Sequence, residues 1–302
     1  MILSISRRTD IPARYADWFF RRMEEGFVLV RNPMNPRQVR RISIDPETVE
    51  GMVFWTKDPR PMLDRLHILD PYPYYFQFTL NAYGRDVETN LPAKNDVLIP
   101  AFQRLSGKIG PHRIIWRYDP ILLGGRYTIE HHIRYFEAIA KRLEGYTECC
   151  IISFLDLYRN TERNLSHLPQ SPITEEAMHA MAKPLSEIAN AHGLSLSTCA
   201  EAVDLSRYGI GHARCIDGEL LSRIAGREIS AKKDPNQRKE CGCMASIDIG
   251  AYDTCTNGCL YCYANHSPGA LKRNLALHDP ASPLLVGQLT AEDRITEYKE
   301  KG

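Results

Sequence analysis

Three cysteines near the C-terminal end of the chain are spaced for metal chemistry. Cys255, Cys259 and Cys262 spell C-x3-C-x2-C in the segment CTNGCLYC, with Tyr261 just before the third. Three thiolates on so short a loop can hold three corners of a [4Fe–4S] cubane, and Asn257-Gly258 lets the loop turn back sharply. The fourth iron then lacks a cysteine and can take an exogenous ligand. An open position of that kind separates a reactive metal centre from a structural one.

Four further cysteines lie in the same part of the chain: Cys199, Cys215, Cys241 and Cys243. Four is the number that closes a second, fully ligated [4Fe–4S] cluster or an all-cysteine zinc site. Gly242 imposes little steric restriction on the Cys241-Gly-Cys243 pair. An auxiliary cluster, a zinc ion and no second metal all remain open readings. Cys149 and Cys150, at the start of an apolar run, read as buried free thiols on opposite faces of a strand. A disulfide framework is a poor account of nine cysteines in a chain that reads as cytoplasmic.

Charged residues recur just after the predicted strands. Arg7, Arg8, Thr9 and Asp10 follow the first, Lys57 and Asp58 the third, and Arg117, Tyr118 and Asp119 end the fifth. Asp156 follows the sixth, and Cys199 and Glu201 the seventh. In α/β barrels such groups converge on one mouth, where active sites are built. Arg8, Asp10, Lys57, Arg117, Asp119 and Glu201 are therefore the candidate catalytic residues. The bland alternative is helix capping and ion pairing, which Asp10 before Pro12 could easily provide. Arg7, Arg8, Lys57 and Arg117 could together bind a phosphate or carboxylate.

The elements that must position these groups alternate. Runs rich in β-branched and aromatic residues at 2–6, 27–31, 51–56, 74–79, 113–118, 149–154, 194–199 and 245–249 predict eight strands. Between them Pro12 opens a helix with Tyr15, Trp18, Phe19 and Met23 on one face. Thr128 caps another, with Phe136, Ile139, Ala140 and Leu143 inward, and His131 and His132 read as solvated on its charged surface. Thr174 caps a third that Gly193 ends, with Pro184 expected to kink or split it. This alternation predicts an α/β fold, with a (β/α) barrel, complete or partial, ahead of a doubly wound open sheet. Residues 1–230 read as the barrel body. Residues 231–302 read as a cysteine-rich, cluster-binding element packed on it, joined through the polar stretch 231–240 (AKKDPNQRKE).

Composition narrows the classes. The chain has 302 residues, 43% hydrophobic and 25% charged, enough for a large core. A net charge of +1 gives no special support to nucleic acid as a partner. No apolar stretch approaches the roughly 18 residues that span a bilayer, and MILSISRRTD lacks a signal-peptide core, so no membrane partner and a cytoplasmic location are expected. There is no Walker A loop, Rossmann glycine fingerprint or nucleophile elbow. A barrel hydrolase is weakened by the absence of a His and carboxylate ligand constellation.

The C-x3-C-x2-C spacing and Tyr261 resemble the signature of the radical S-adenosylmethionine (SAM) superfamily, and Cys262-Tyr263-Ala264 is similar to its form in spore photoproduct lyases. That resemblance implies a [4Fe–4S] cluster on Cys255, Cys259 and Cys262, with SAM chelated at the open iron. One-electron cleavage of SAM would give a 5′-deoxyadenosyl radical that takes hydrogen from a substrate. It also implies a donor such as a ferredoxin or flavodoxin, and Tyr261 against the adenine, with Asn257 and Arg7 as further cofactor-binding residues. The substrate class is a polar or anionic small molecule or nucleotide-like compound. More widely, the chain resembles an uncharacterised bacterial family catalogued as a domain of unknown function. The shared pattern is ISRRTDIP (5–12), FWTKDP (54–59), WRYDP (116–120), TCAE (198–201), QRKECGC (237–243), DIGAYDTC (248–255) and CYAN (262–265). Radical SAM enzymes usually carry the cysteine loop after the first strand, whereas here it begins at residue 255. A circular permutation, with the last strand equivalent to the usual first, would repair the topology and bring residues 7–10 beside the loop. The alternative function is a non-catalytic zinc or iron–sulfur protein with a structural or electron-transfer role.

Overall fold

The computed structural model describes residues 1–298 other than Tyr158 and Ala231. The strands are β1 (Ile2–Ile5), β2 (Phe27–Asn32), β3 (Asn35–Ser43), β4 (Gly51–Thr56), β5 (Tyr74–Thr79), β6 (Ile114–Ile121), β7 (Cys149–Phe154), β8 (Ser195–Thr198), β9 (Gly211–His212), β10 (Ile247–Asp248) and β11 (Arg294–Glu297). The helices are α1 (Ile11–Arg14), α2 (Ala16–Glu25), α3 (Ile99–Ile109), α4 (Ile129–Leu143), α5 (Arg159–Leu165), α6 (Glu175–Ala191), α7 (Gly218–Ala225) and α8 (Pro268–Ala276).

Eight strands form one parallel sheet in the order β10-β1-β4-β5-β6-β7-β8-β9. Among the described residues no ladder joins β9 to β10. A second sheet, β11-β3-β2, holds an antiparallel hairpin with β11 added parallel to β3.

Strand alternation divides the main sheet into two faces. Leu3, Ile5, Met52, Phe54, Phe76, Trp116, Tyr118, Cys150 and Ile152 pack against helical residues including Trp18, Phe19, Phe102, Phe136, Met181 and Leu185. The opposite face carries Ile2, Val53, Tyr75, Ile115 and Ile151, and is covered by Cys215, Ile216, Leu221, Ile229, Cys241 and Cys243. That inner face turns polar toward the strand exits, at Gln77, Arg117, Asp119 and Ser153.

Several expectations are corrected. The strand at residues 27–31 forms, but in the smaller sheet, and the eighth strand of the large sheet is β9. A Gly-His pair carries no strand signal; it is held by pairing Ser197 with Gly211 and Thr198 with His212. The first helix is interrupted at Tyr15, whose φ of −135° falls outside helical geometry. α6 runs through Pro184 unbroken. Its buried face of Met181, Ala182, Leu185 and Ala189 anchors both halves, offsetting a proline cost of about 3 kcal/mol. His132 is buried rather than solvated, because it lies on the same 3.6-residue stripe as Phe136, Ile139 and Leu143. Thr128 and Thr174 do cap α4 and α6, accepting from His131 and Ala177.

Candidate metal centre

Because the main sheet is parallel throughout, every strand of it exits at one edge. β10 leads into the loop with Cys255, Cys259 and Cys262, and β10 lies beside β1, whose exit carries Arg7, Arg8 and Asp10. Asp248 clamps the two strands together. Its carboxylate accepts from the Ser4 and Ser6 hydroxyls and from the backbone N–H groups of Arg7 (2.8 Å) and Gly250 (3.0 Å). A side chain at Gly250 would meet Ser6 Oγ at 2.2 Å, so close approach of the two strand ends requires glycine here.

The cysteine loop is gripped from two sides. Asn257 donates to Asp10 Oδ2 at 2.8 Å and accepts from Arg14 Nε at 2.8 Å, while the Tyr15 hydroxyl donates to the Thr254 carbonyl at 2.6 Å. Asp10 also caps α1 through Ala13 and accepts from the Lys57 backbone at 2.8 Å. The capping and the site readings of Asp10 therefore both apply. On the other side the segment after β5 runs along the loop. Thr89 and Asn90 donate backbone N–H groups to Gly258 (3.3 Å) and Asn257 (3.2 Å), and Leu260 donates to Val87 (3.0 Å).

The three thiols of the loop lie close enough to feel one another's charge. Burial pushes Cys255 up to about 12, lifts Cys259 well above the usual thiol range and raises Cys262. Backbone N–H groups of Asn257 and Asp10 face Cys255, those of Ala264 and Asn265 face Cys262, and Lys57 favours the thiolates of Cys259 and Cys262. Three cysteines on one loop, with amide donors and one nearby cation, are a donor set that suits a cluster with one iron left open. Among the described residues no three or more His, Cys, Asp and Glu side chains are already spaced as a metal shell.

Behind the loop stands a buried polar hub. Lys57 Nζ donates to Glu88 (2.9 Å) and to the Tyr261 hydroxyl (2.8 Å), and lies 5.4 Å from that ring's centre. Tyr261 donates to Glu88, which also accepts from Lys94 at 2.6 Å. Burial acts to raise Glu88, but the two lysines outweigh it and hold the carboxyl below its usual range. Burial acts to lower Lys57, but Glu88 and Cys259 outweigh it and hold the ammonium above its own. The Tyr261 ring packs with Tyr83, Val87, Leu122, Tyr127 and Leu165.

Asn81 connects this hub to a second one. Its carboxamide donates to Tyr261 (3.1 Å) and the Asp119 carbonyl (2.9 Å) and accepts from the Asp119 N–H (2.8 Å). Arg117, 4% exposed, pairs with Asp119 through Nε at 2.7 Å and donates to Gln77 at 3.3 Å and to Cys215 Sγ at 3.0 Å. Ser153 donates to the other Asp119 oxygen. Cys199 and Cys215 have their sulfurs 3.1 Å apart, and Cys243 accepts from the Ile216 N–H at 3.4 Å.

The remaining sequence candidates stand around these hubs. Arg8 donates to the Gly250 carbonyl at 3.4 Å and lies 5.1 Å over Tyr252. The Arg7 carbonyl accepts from the Tyr263 hydroxyl at 2.9 Å. Glu201 accepts from the Phe154 N–H at 2.8 Å, and burial raises it to about 7 despite that bond. Asp58 pairs outward with Arg60 at 2.8 Å, and Asp156 pairs with Arg238.

Sequence reasoning missed Arg14, Gln77, Asn81, Glu88 and Asp248. Only Asp248 had a signal, its place at the head of the shared DIGAYDTC segment. Two cavities, of about 650 and 680 Å³, have no lining residue from the cysteine loop, and the first lies around the starts of β6, β7 and β8. The second reaches Asn81 and Glu88 from outside. Among the described residues no helix is long and apolar enough to cross a membrane.

The fold and site together define an α/β protein whose large parallel sheet carries a cysteine-bearing loop at its carboxyl edge. Over residues 2–264 the chain matches the family described as a domain of unknown function, DUF1848, and it belongs to that family. No curated protein matches it.

Proposed function

We propose that the protein is an iron–sulfur enzyme of the radical SAM type, built on a circularly permuted, partial (β/α) barrel and acting on a polar or anionic substrate. The observation that carries this reading is the adjacency of β10 and β1. It sets the C-x3-C-x2-C loop directly beside the strand exit that bears Arg7, Arg8 and Asp10. A permuted barrel requires this neighbourhood, with β10 standing for the usual first strand.

Cys255, Cys259 and Cys262 would hold the cluster, which when bound supplies the electron that cleaves the sulfonium of SAM. The chain's own residues do the rest. Asp10 and Arg14 fix Asn257, and so the loop's curvature. Lys57 offers a cation against Cys259 while Glu88 keeps that cation charged. Arg117 and Asp119, at the exit of β6, offer a charged pair to substrate, and Glu201, with a carboxyl near 7, can hold or release a proton.

The test is anaerobic reconstitution, followed by an iron and sulfide count and chromatography for 5′-deoxyadenosine after adding dithionite and SAM. About four irons at the loop and SAM cleavage are expected, both lost when Cys255, Cys259 and Cys262 are changed to alanine. A cluster that forms but cleaves no SAM would overturn the enzyme reading in favour of an electron carrier. A loop that binds no iron would overturn both.

A further inference from the structure

We infer that Cys199, Cys215, Cys241 and Cys243 form a second metal site that takes a single tetrahedral zinc ion. This stands apart from the three-thiol loop and does not rest on its reading. Cys199 follows β8, Cys215 follows β9, and Cys241 and Cys243 precede β10, yet the sulfurs of Cys199 and Cys215 stand 3.1 Å apart and all four cysteines belong to, or pack against, one cluster on the inner face. Cys215, Cys241 and Cys243 are 3%, 6% and 2% exposed.

Burial alone would suit four inert thiols. The groups aimed at the sulfurs are hydrogen-bond donors. The buried Arg117 guanidinium donates to Cys215 at 3.0 Å, and the Ile216 N–H donates to Cys243 at 3.4 Å. Arg117 is itself already paired with Asp119. Metal binding would release the thiol protons, and a divalent ion supplies the positive charge that the four buried sulfurs would then need.

Spacing selects the ion. Four thiolates about 2.3 Å from one zinc stand about 3.8 Å from each other at the corners of a tetrahedron. The 3.1 Å between Cys199 and Cys215 falls short of that edge but is closer to it than to the thiolate spacing of a cubane. A cubane, with an iron at each ligated corner, spreads its thiolates much further apart. Between Cys241 and Cys243 the chain passes close to Arg214, whose Cγ would lie 2.9 Å from a side chain at Gly242. The ion would fasten the strap from Cys215 to Cys243 onto the inner face, and so fix Arg117 and Asp119.

The experiment uses the full chain, expressed with iron and zinc both supplied and purified anaerobically, with metals counted by mass spectrometry. About one zinc per chain is expected in the wild type and in the triple-alanine loop variant. The Cys241→Ser/Cys243→Ser variant should hold none while keeping its loop iron. Because that variant could fail to fold, cobalt(II) added to the metal-stripped wild type gives an independent reading. The visible spectrum of tetrahedral four-thiolate cobalt should appear, persist in the loop variant and be bleached by zinc. A wild type without zinc, zinc retained by the double-serine variant, an iron count that falls with that variant, or cobalt lacking the four-thiolate spectrum would each overturn the assignment.

Discussion

His132 uses both ring nitrogens inside the core: Nδ1 meets the Tyr118 hydroxyl at 2.8 Å and Nε2 meets the Leu122 carbonyl at 2.8 Å. A carbonyl only accepts, so Nε2 carries the proton and Nδ1 accepts from Tyr118, which is the neutral tautomer. Burial lowers this histidine from 6.5 to about 4, against the help of the Leu122 carbonyl, and His131 adds a smaller lowering. The unfolded chain takes up the proton near 6.5, the folded one only near 4. Between those values the unfolded state binds more protons, so stability is complete above 6.5 and drains away as the pH falls. The gap corresponds to about 3 kcal/mol. Denaturant unfolding of the wild type and a His132→Gln variant at pH 7 and pH 4 should show the wild type losing about that much more. Parallel losses would mean that His132 titrates as if exposed.

At the scale of elements, the grip of residues 84–90 on the cysteine loop depends on Gly258. Its φ is +69°, and an added Cβ would lie 2.0 Å from Thr89 Oγ1. Gly258→Ala should therefore cost about 1–2 kcal/mol in backbone strain and about 1–3 kcal/mol in crowding. Adding Thr89→Ala relieves the crowding but not the strain. Thermal unfolding should then rank wild type above the double variant and the double above Gly258→Ala. A single variant as stable as wild type would mean that the loop is not held in this form. The Asn257-Gly258 turn was legible because it needs a left-handed residue. The clasp was not, because residues 84–90 form ordinary polar loop and act through backbone groups that any sequence possesses. The same contrast runs through the strands. β4, β5 and β7 are buried on both faces and read as apolar runs, whereas β3, with Arg37, Arg40 and Arg41, is an exposed hairpin arm without such a run. The three-thiol loop was legible from spacing. The convergence of Cys199, Cys215, Cys241 and Cys243 could be counted but not located, because it depends on which strands are neighbours.

For the whole molecule, the sequence suggested a body of residues 1–230 carrying a separate cysteine-rich element, and the contacts let the independence of that body be predicted. β10 supplies the strand beside β1, and Asp248 satisfies the hydroxyls of Ser4 and Ser6 and the N–H of Arg7. The inner-face core joins Ile2, Val53 and Tyr75 to Cys241 and Cys243. On the other side the Trp18 indole donates to the Ser282 carbonyl at 2.9 Å, the fully buried Arg22 donates to Ala281 at 3.3 Å, and β11 lies along β3. A chain ending at residue 230 would lose all of these at once. It would bare the β1 edge, leave several buried polar groups unpartnered at about 1–3 kcal/mol each, and expose apolar surface on both faces of the sheet. Those losses together are comparable with the 5–15 kcal/mol that holds a typical domain folded. Residues 1–230 expressed alone should therefore lack a cooperative thermal transition and bind apolar dye. Adding residues 231–302 as a separate polypeptide should restore a transition, because the contacts that are missing are non-covalent. A fragment 1–230 that melts cooperatively near the wild-type temperature would show instead that the last strand and its cysteine loop are an accessory to a self-sufficient sheet.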